Sequence, residues 1–400
     1  MPRPGQARGT GSGRTWVSRA PIVGQMLVVG LLGGCGGKAG PYNATNVERH
    51  ERIERSFGET GLSPGQFAYP RCMDSDGRDL WVIDKVARVQ RIDGQTGASV
   101  VSWRMPEWEK GKPTGVTVWT PAGQDEDEYV FVADTHYHRV MVFRVGAPTG
   151  DRGREPELVT RFGEYGEGPG QFIYPTDIAV EPTEDGRGVA RLWVSEYGGN
   201  DRISVFVPAD AATVGDAEAS DRQAALPTAW RCERTLGGRS DGEPNAEVLS
   251  FSRPQSLALD LSRKRLVIAD ACNHRLIVAD LEGAVERTIG SMGEVGEEPG
   301  RFSYPYGLEL LDDGSVLVSE FGNCRVQRID PGTGACLGVY GGRGRGLKFL
   351  AMPWAVASIG GEAYVLDSGH DRVAVYELPQ GVRAADDRFG RGAIASGGAH

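Results

Sequence analysis

Short apolar runs rich in Val, Ile, Leu and aromatic residues recur along the chain, separated by Gly, Pro, Asn and Asp. β-Branched and aromatic residues suit a pleated surface and the separating residues suit turns, so the runs predict short strands and no long helices. One unit repeats: an apolar pair, a carboxylate, a short polar loop, then an Arg that opens a second apolar run. It reads Val82-Ile83-Asp84 with Arg88-Val89, Val132-Ala133-Asp134 with Arg139-Val140, and Val194-Ser195-Glu196 with Arg202-Ile203. It returns as Ile268-Ala269-Asp270 with Arg275-Leu276, Val318-Ser319-Glu320 with Arg325-Val326, and Val365-Leu366-Asp367 with Arg372-Val373. The pattern therefore predicts six strand–turn–strand units.

A second pattern precedes the first. Phe57-Gly58 leads through Pro64-Gly65-Gln66-Phe67 to Tyr69-Pro70. The string recurs from Phe162-Gly163 to Tyr174-Pro175 and from Ile289-Gly290 to Tyr304-Pro305, with shorter copies ending at Pro113, Pro254 and Pro353. Across residues 53–378 these composite units resemble NHL repeats. The resemblance implies an all-β fold, a six-bladed β-propeller of four-stranded antiparallel blades. Strand a follows each Pro, strand b ends at the carboxylate, strand c starts at the Arg and strand d ends at the Phe-Gly-like pair. On this count Ile53–Phe57 is a strand d without its own blade, while the last blade stops after strand c. The N-terminal strand should therefore complete the sixth blade and remove the open edge.

Loop lengths divide the two faces. Long insertions fall at Pro121–Glu128 and Thr183–Arg191, between strands a and b, and at Gly146–Glu155 and Ala209–Ala229, between c and d. In a propeller these connections share one face, and the nearly constant b–c and d–a loops share the other. The polar, Ala-rich 209–229 loop reads as mobile, and 381–400 reads as a disordered tail.

The ends change the picture of where the protein works. Arg3, Arg8, Arg14 and Arg19 precede an apolar stretch, Pro21–Leu32, too short for a membrane span of about 20 residues. Leu32-Gly33-Gly34-Cys35 resembles a bacterial lipobox, which implies a signal peptide over 1–34, acylation of Cys35 and a flexible tether over 35–50 before a propeller at 51–380. The sequence thus predicts an exported lipoprotein in the cell or outer membrane, with the propeller outside the cytoplasm. Formal net charge is -10, and the signal arginines are its most basic segment, so a phosphate backbone is a poor partner and no nucleic-acid ligand is expected. Cys72, Cys232, Cys272, Cys324 and Cys336 lack zinc-motif spacing and read by default as buried free thiols, with one or two bridges open in an oxidising compartment.

Candidate chemistry starts with the repeated acids Asp84, Asp134, Glu196, Asp270, Glu320 and Asp367. A group required in every blade reads as part of the blade, a strand-end acceptor paired with the Arg that follows. Function is then expected where the repeats differ. The residues after each Pro (Arg71, Thr114, Thr176 with Asp177, Gln255, Tyr306, Trp354) and the b–c loop residues His136, Tyr197, Phe321 and His370 predict a mixed aromatic and polar rim at the channel mouth. His136, His138, His274 and His370 lie in comparable loops, and three histidines on an axis could hold zinc. The resembled family includes a zinc-dependent amidating lyase, two of whose zinc ligands directly follow a blade-opening Pro. None of the six such positions here is a His. Serine-hydrolase, zincin and phosphate-loop motifs are also missing. The expectation is a binding scaffold for a protein, peptide or glycan, with no cofactor or metal. The alternative is a metal-dependent lyase or lactonase with its site at the channel mouth.

Overall fold

The computed structural model describes residues 47–383, except 125, 210–225, 240–248, 292 and 345. The expected signal peptide, its Cys35, most of the 209–229 loop and tail residues 384–400 lie outside the described residues. What is described is all-β: six four-stranded antiparallel sheets arranged as a six-bladed β-propeller. The first strands are Pro70–Ser75, Gly115–Trp119, Tyr174–Pro182, Pro254–Asp260, Pro305–Leu310 and Pro353–Ile359, and each packs against the next in a closed ring.

Both faces of a blade are covered by its neighbours, which explains why inner strands are continuous apolar runs and not alternating ones. Asp79–Asp84 and Val316–Glu320 are buried at every position. The outer strand Trp230–Leu236 alternates half-buried and exposed residues, as one solvated side requires.

The repeated carboxylate and Arg form a brace in every blade. Arg88–Asp84, Arg139–Asp134, Arg202–Glu196, Arg275–Asp270, Arg325–Glu320 and Arg372–Asp367 pair at 2.5 to 2.8 Å. Each Arg also reaches a carbonyl of the loop that enters its own blade: Gln66, Pro106, Gln171, Ser250, Arg301 and Phe349 respectively. Burial pushes the Asp84, Glu196, Asp270 and Glu320 carboxyls up, and Asp134 to about 6, while the guanidinium opposes the shift. The acids are consumed by structure, as their repetition predicts. The Phe-Gly signal has a steric cause in the same loops. Gly58, at φ +89°, and Gly163, at φ +93°, would place a Cβ 2.3 and 2.5 Å from the buried rings of Phe67 and Phe172.

Side-chain bonds join successive blades near the axis. Asp74 accepts the Val118 N–H, Thr114 donates to the Thr176 carbonyl and Thr176 to that of Pro254. Ser256 accepts the Leu308 N–H, Ser319 donates to the Trp354 carbonyl and Ser368 to that of Pro70. Between blades one and two, Arg91 binds Asp76 at 2.6 Å and Asp79 at 2.7 Å and faces Glu128 at 3.5 Å, all fully buried.

The ring closes as the strand count requires. Arg55–Phe57 pairs antiparallel with Val373–Val375 and supplies the outer strand of blade six. Arg55 forms an ion pair with Glu362, donates to the Tyr364 hydroxyl at 2.6 Å and reaches the Gly94 carbonyl of blade one at 3.2 Å.

Two boundaries differ from the sequence reading. The expected tether over 35–50 ends early, because Glu48–His50 pairs in parallel with Gly338–Tyr340 and covers the outer edge of blade five. An uncovered edge presents free N–H and C=O groups, and His50 adds a stack on Tyr340 at 4.5 Å. Residues 381–383, expected to belong to a disordered tail, are held against blade five. Arg383 makes two bonds to Asp312, its carbonyl accepting the Asp312 N–H at 2.9 Å and its own N–H donating to the Asp312 carboxylate at 3.0 Å.

Deleting Ile53–Phe57 should leave blade six with three strands and a bare Val373–Val375 edge. Size-exclusion chromatography and thermal unfolding should then show aggregation or loss of a cooperative transition; a soluble monomer melting with the parent would contradict this closure.

Candidate functional site

The six first strands enclose an axial cavity of about 120 Å³. In depth its wall mixes apolar residues, Val116, Val118, Ile178, Leu257, Leu308 and Val356, with the carboxylates Asp74, Asp177 and Glu309, and it is polar or aromatic at the end where the strands begin. That end belongs to the face made by the d–a and b–c loops.

Local backbone geometry fixes what points there. Four of the residues that precede a blade-opening Pro, namely Tyr69, Arg253, Tyr304 and Met352, have φ between +50° and +61°. Non-Gly residues adopt this region at a cost, so the surroundings must hold them. The Tyr69 N–H donates to Asp371 at 2.6 Å and the Tyr304 N–H to His274 Nδ1 at 3.2 Å. The Arg253 carbonyl accepts the Ala271 N–H at 3.1 Å. Each b–c loop contributes a left-handed residue immediately before its brace arginine, among them His138, His274 and Asp371.

Most of the expected rim residues meet. The Tyr306 ring stacks on Phe321 at 5.0 Å and meets Trp354 edge-on at 4.9 Å. Tyr69 closes on Trp354 at 6.3 Å. Two guanidinium groups bracket this aromatic cluster. Arg71 lies 5.2 Å from the Trp354 ring and 5.9 Å from Tyr69. Arg253 lies 4.8 Å from Tyr197 and 5.1 Å from Tyr306, and its Nε donates to Gln255 Oε1 at 2.9 Å. Burial pushes the Arg71 guanidinium below its ordinary value, and the charge on Arg253 acts in the same direction. Arg253 is the functional candidate that the sequence reading missed. It occupies the position that Tyr69 and Tyr304 hold in other blades, so its register before Pro254 was the available signal.

Other expected rim residues serve elsewhere. Thr114 bonds Thr135 at 2.9 Å and the next blade, and Asp177 accepts from the Ser256 hydroxyl at 2.7 Å and the Leu257 N–H at 2.9 Å. Both are clasps between blades. The loop histidines are buried or half-buried and separately engaged. His136 meets the Lys110 carbonyl at 3.1 Å, His138 bonds the Ile173 carbonyl, His274 accepts from Tyr304, and His370 pairs with Asp367 at 2.8 Å. They also differ in register, since His138 and His274 sit one place before the brace arginine, whereas His370 sits two before and His136 three. Among the described residues no three His, Cys, Asp or Glu side chains form a cluster fit for a metal ion. The five described cysteines are free, with Cys72 buried and the others half-buried.

Burial within the channel wall pushes the Asp177 carboxyl up to about 7, against the bonds it accepts. The folded protein then holds a proton that the unfolded chain releases, so stability falls as pH rises from about 4 to about 7 and levels off above. Asp177→Asn keeps an oxygen for both donors and should remove that decline, about 4 kcal/mol. Urea unfolding at the two ends of this pH range would show it; an unchanged difference between the ends would contradict the assignment.

Residues 251–279, covering the first three strands of blade four, match the family model described as NHL repeat. No curated protein matches. A protein of unknown function from Bacteroides thetaiotaomicron is similar in structure, with a TM-score of 0.52 at 13% identity, covering 85% of this chain and 75% of that one. A streptogramin B lyase gives a TM-score of 0.45 at 15% identity, with 81% and 86% covered. A chain of a nidogen/laminin complex gives 0.42 at 13% identity, with 68% and 79% covered. The protein is a six-bladed β-propeller, and the repeat match in its fourth blade supports the NHL type.

Proposed function

We propose that the protein is a binding scaffold that engages a protein or peptide through its d–a/b–c face. The distribution of exposed apolar side chains carries this reading. Among the described residues eight large hydrophobics are exposed, and six of them, Leu62, Trp108, Tyr165, Val295, Leu347 and Met352, lie on d–a loops. Apolar groups spread around one face, with an aromatic and cationic centre, have the make-up of a recognition surface. Such loops favour a protein or peptide over a glycan. The described insertions at 146–155 and 183–191 lie on the opposite face.

The N-terminal pattern supports a place of action. We infer export and attachment to a membrane through acylated Cys35, with the propeller displayed outside the cytoplasm. On this reading a tether from Cys35 would lead to the ring at the Glu48–His50 strand.

Photo-crosslinking residues at Tyr165 and Leu347, compared with Glu184 and Arg263 in the opposite a–b turns, test the face directly. In membranes of producing cells a discrete crosslinked species is expected from the first pair only. Equal labelling from both faces, or labelling from the second pair alone, would overturn the assignment.

A further inference from the structure

The mouth itself has a narrower chemistry than the rim around it. Among the described residues most arginines are paired with carboxylates, including one in every blade brace. Arg71 and Arg253 are different. Among the described residues neither forms an ion pair, and their charged groups lie over the rings of Trp354, Tyr69, Tyr197 and Tyr306. Aromatic faces attract a cation but accept no strong hydrogen bond.

Two donors at this spot are left over. Arg71 Nε and Trp354 Nε1 are both buried without a hydrogen-bond partner. Their groups adjoin, the guanidinium lying 5.2 Å from the indole ring. A buried donor without an acceptor costs about 1–3 kcal/mol, and more when it carries charge. Two such donors beside a second guanidinium call for a group that only accepts and is negative.

We propose that the channel mouth binds a carboxylate carried on an apolar or aromatic body. Arg71 and Arg253 hold its oxygens from two sides, Trp354 donates through Nε1, and the rings of Tyr306, Phe321 and Tyr69 flank the apolar part. Gln255 fixes the Arg253 fork through its bond to Nε. The inference rests on the same face as the proposed function and names what enters at its centre. A monoanion fits better than a phosphate dianion, because Asp74, Asp177 and Glu309 line the channel just below. Planar carboxylate geometry also suits a guanidinium fork. The carboxylate could belong to a peptide C-terminus or to a small free acid, and both present the same oxygens.

Isothermal titration of the propeller with N-acetyl-L-phenylalanine, its D-enantiomer, its neutral amide and phenyl phosphate separates these cases. The acid should bind at least about tenfold more tightly than the amide or phenyl phosphate. Preference for the L-enantiomer assigns the site to a peptide terminus, and equal binding of L and D assigns it to a free acid. Arg71→Gln and Arg253→Gln should each weaken the acid about tenfold, weaken the amide by much less, and keep the melting temperature. Should one variant fail to fold, the other variant and the acid-against-amide comparison still decide. Equal binding of acid and amide, tighter binding of phenyl phosphate, or no binding of the acid at millimolar concentration would overturn the proposal. Crosslinking from Tyr165 and Leu347 reads the rim independently, so failure at the mouth and failure of the face are told apart.

Discussion

The brace between a strand-end carboxylate and the arginine that opens the following strand holds the most consequential position in each blade. One guanidinium ties together the b–c hairpin and the loop descending from the previous blade. In blade three, Arg202 binds Glu196 at 2.6 Å and the carbonyls of Glu167, Gly168 and Gln171. A loop fixed this way delivers the next Pro, and therefore the next first strand, at one defined place on the ring. Removing one partner of a buried pair costs about 3–5 kcal/mol, because the survivor stays charged and dry. The brace thus couples secondary structure within a blade to the spacing between blades.

That arrangement separates structure from recognition. The braces consume the repeated acids and arginines, and the hydroxyls of Thr114, Thr176, Ser319 and Ser368 are consumed by bonds to neighbouring blades. What remains at the mouth is the non-repeated set, held by positive-φ backbone at Tyr69 and Arg253. Strain at those positions keeps aromatic and cationic groups directed across the channel, and bonds from the b–c loops supply the compensation. The unpaired guanidinium groups represent an energetic cost that folding alone does not explain.

Much of the ring was legible in the sequence because its devices are periodic. The carboxylate and arginine recur at four to six residues' separation, so counting them gives the blades, and the surplus strand at Ile53–Phe57 gives the closure. The site was only partly legible. Position after Pro identified Arg71, Tyr306 and Trp354, yet the same rule also selected Thr114 and Asp177, whose partners lie in the next blade some 60 to 80 residues away. Arg253 escaped because it stands before its Pro, where tyrosines serve in other copies. The buried group of Arg91, Asp76, Asp79 and Glu128 was equally hidden, since it joins two blades without a repeated motif. Pairing of Glu48–His50 with blade five depends on an available edge, which three polar residues do not announce. The histidines lie in comparable loops, but each ring finds its own partner, even where His138 and His274 share one register.

The central claim is a division of labour between braces that hold the ring and unpaired arginines that do not. Equilibrium urea unfolding of Arg275→Ala beside Arg71→Gln tests it most directly. The account predicts a loss of about 3–5 kcal/mol for Arg275→Ala, which leaves the buried Asp270 without its guanidinium, and a stability for Arg71→Gln equal to or above the parent's. A comparable loss in Arg71→Gln, or an undiminished stability in Arg275→Ala, would contradict it.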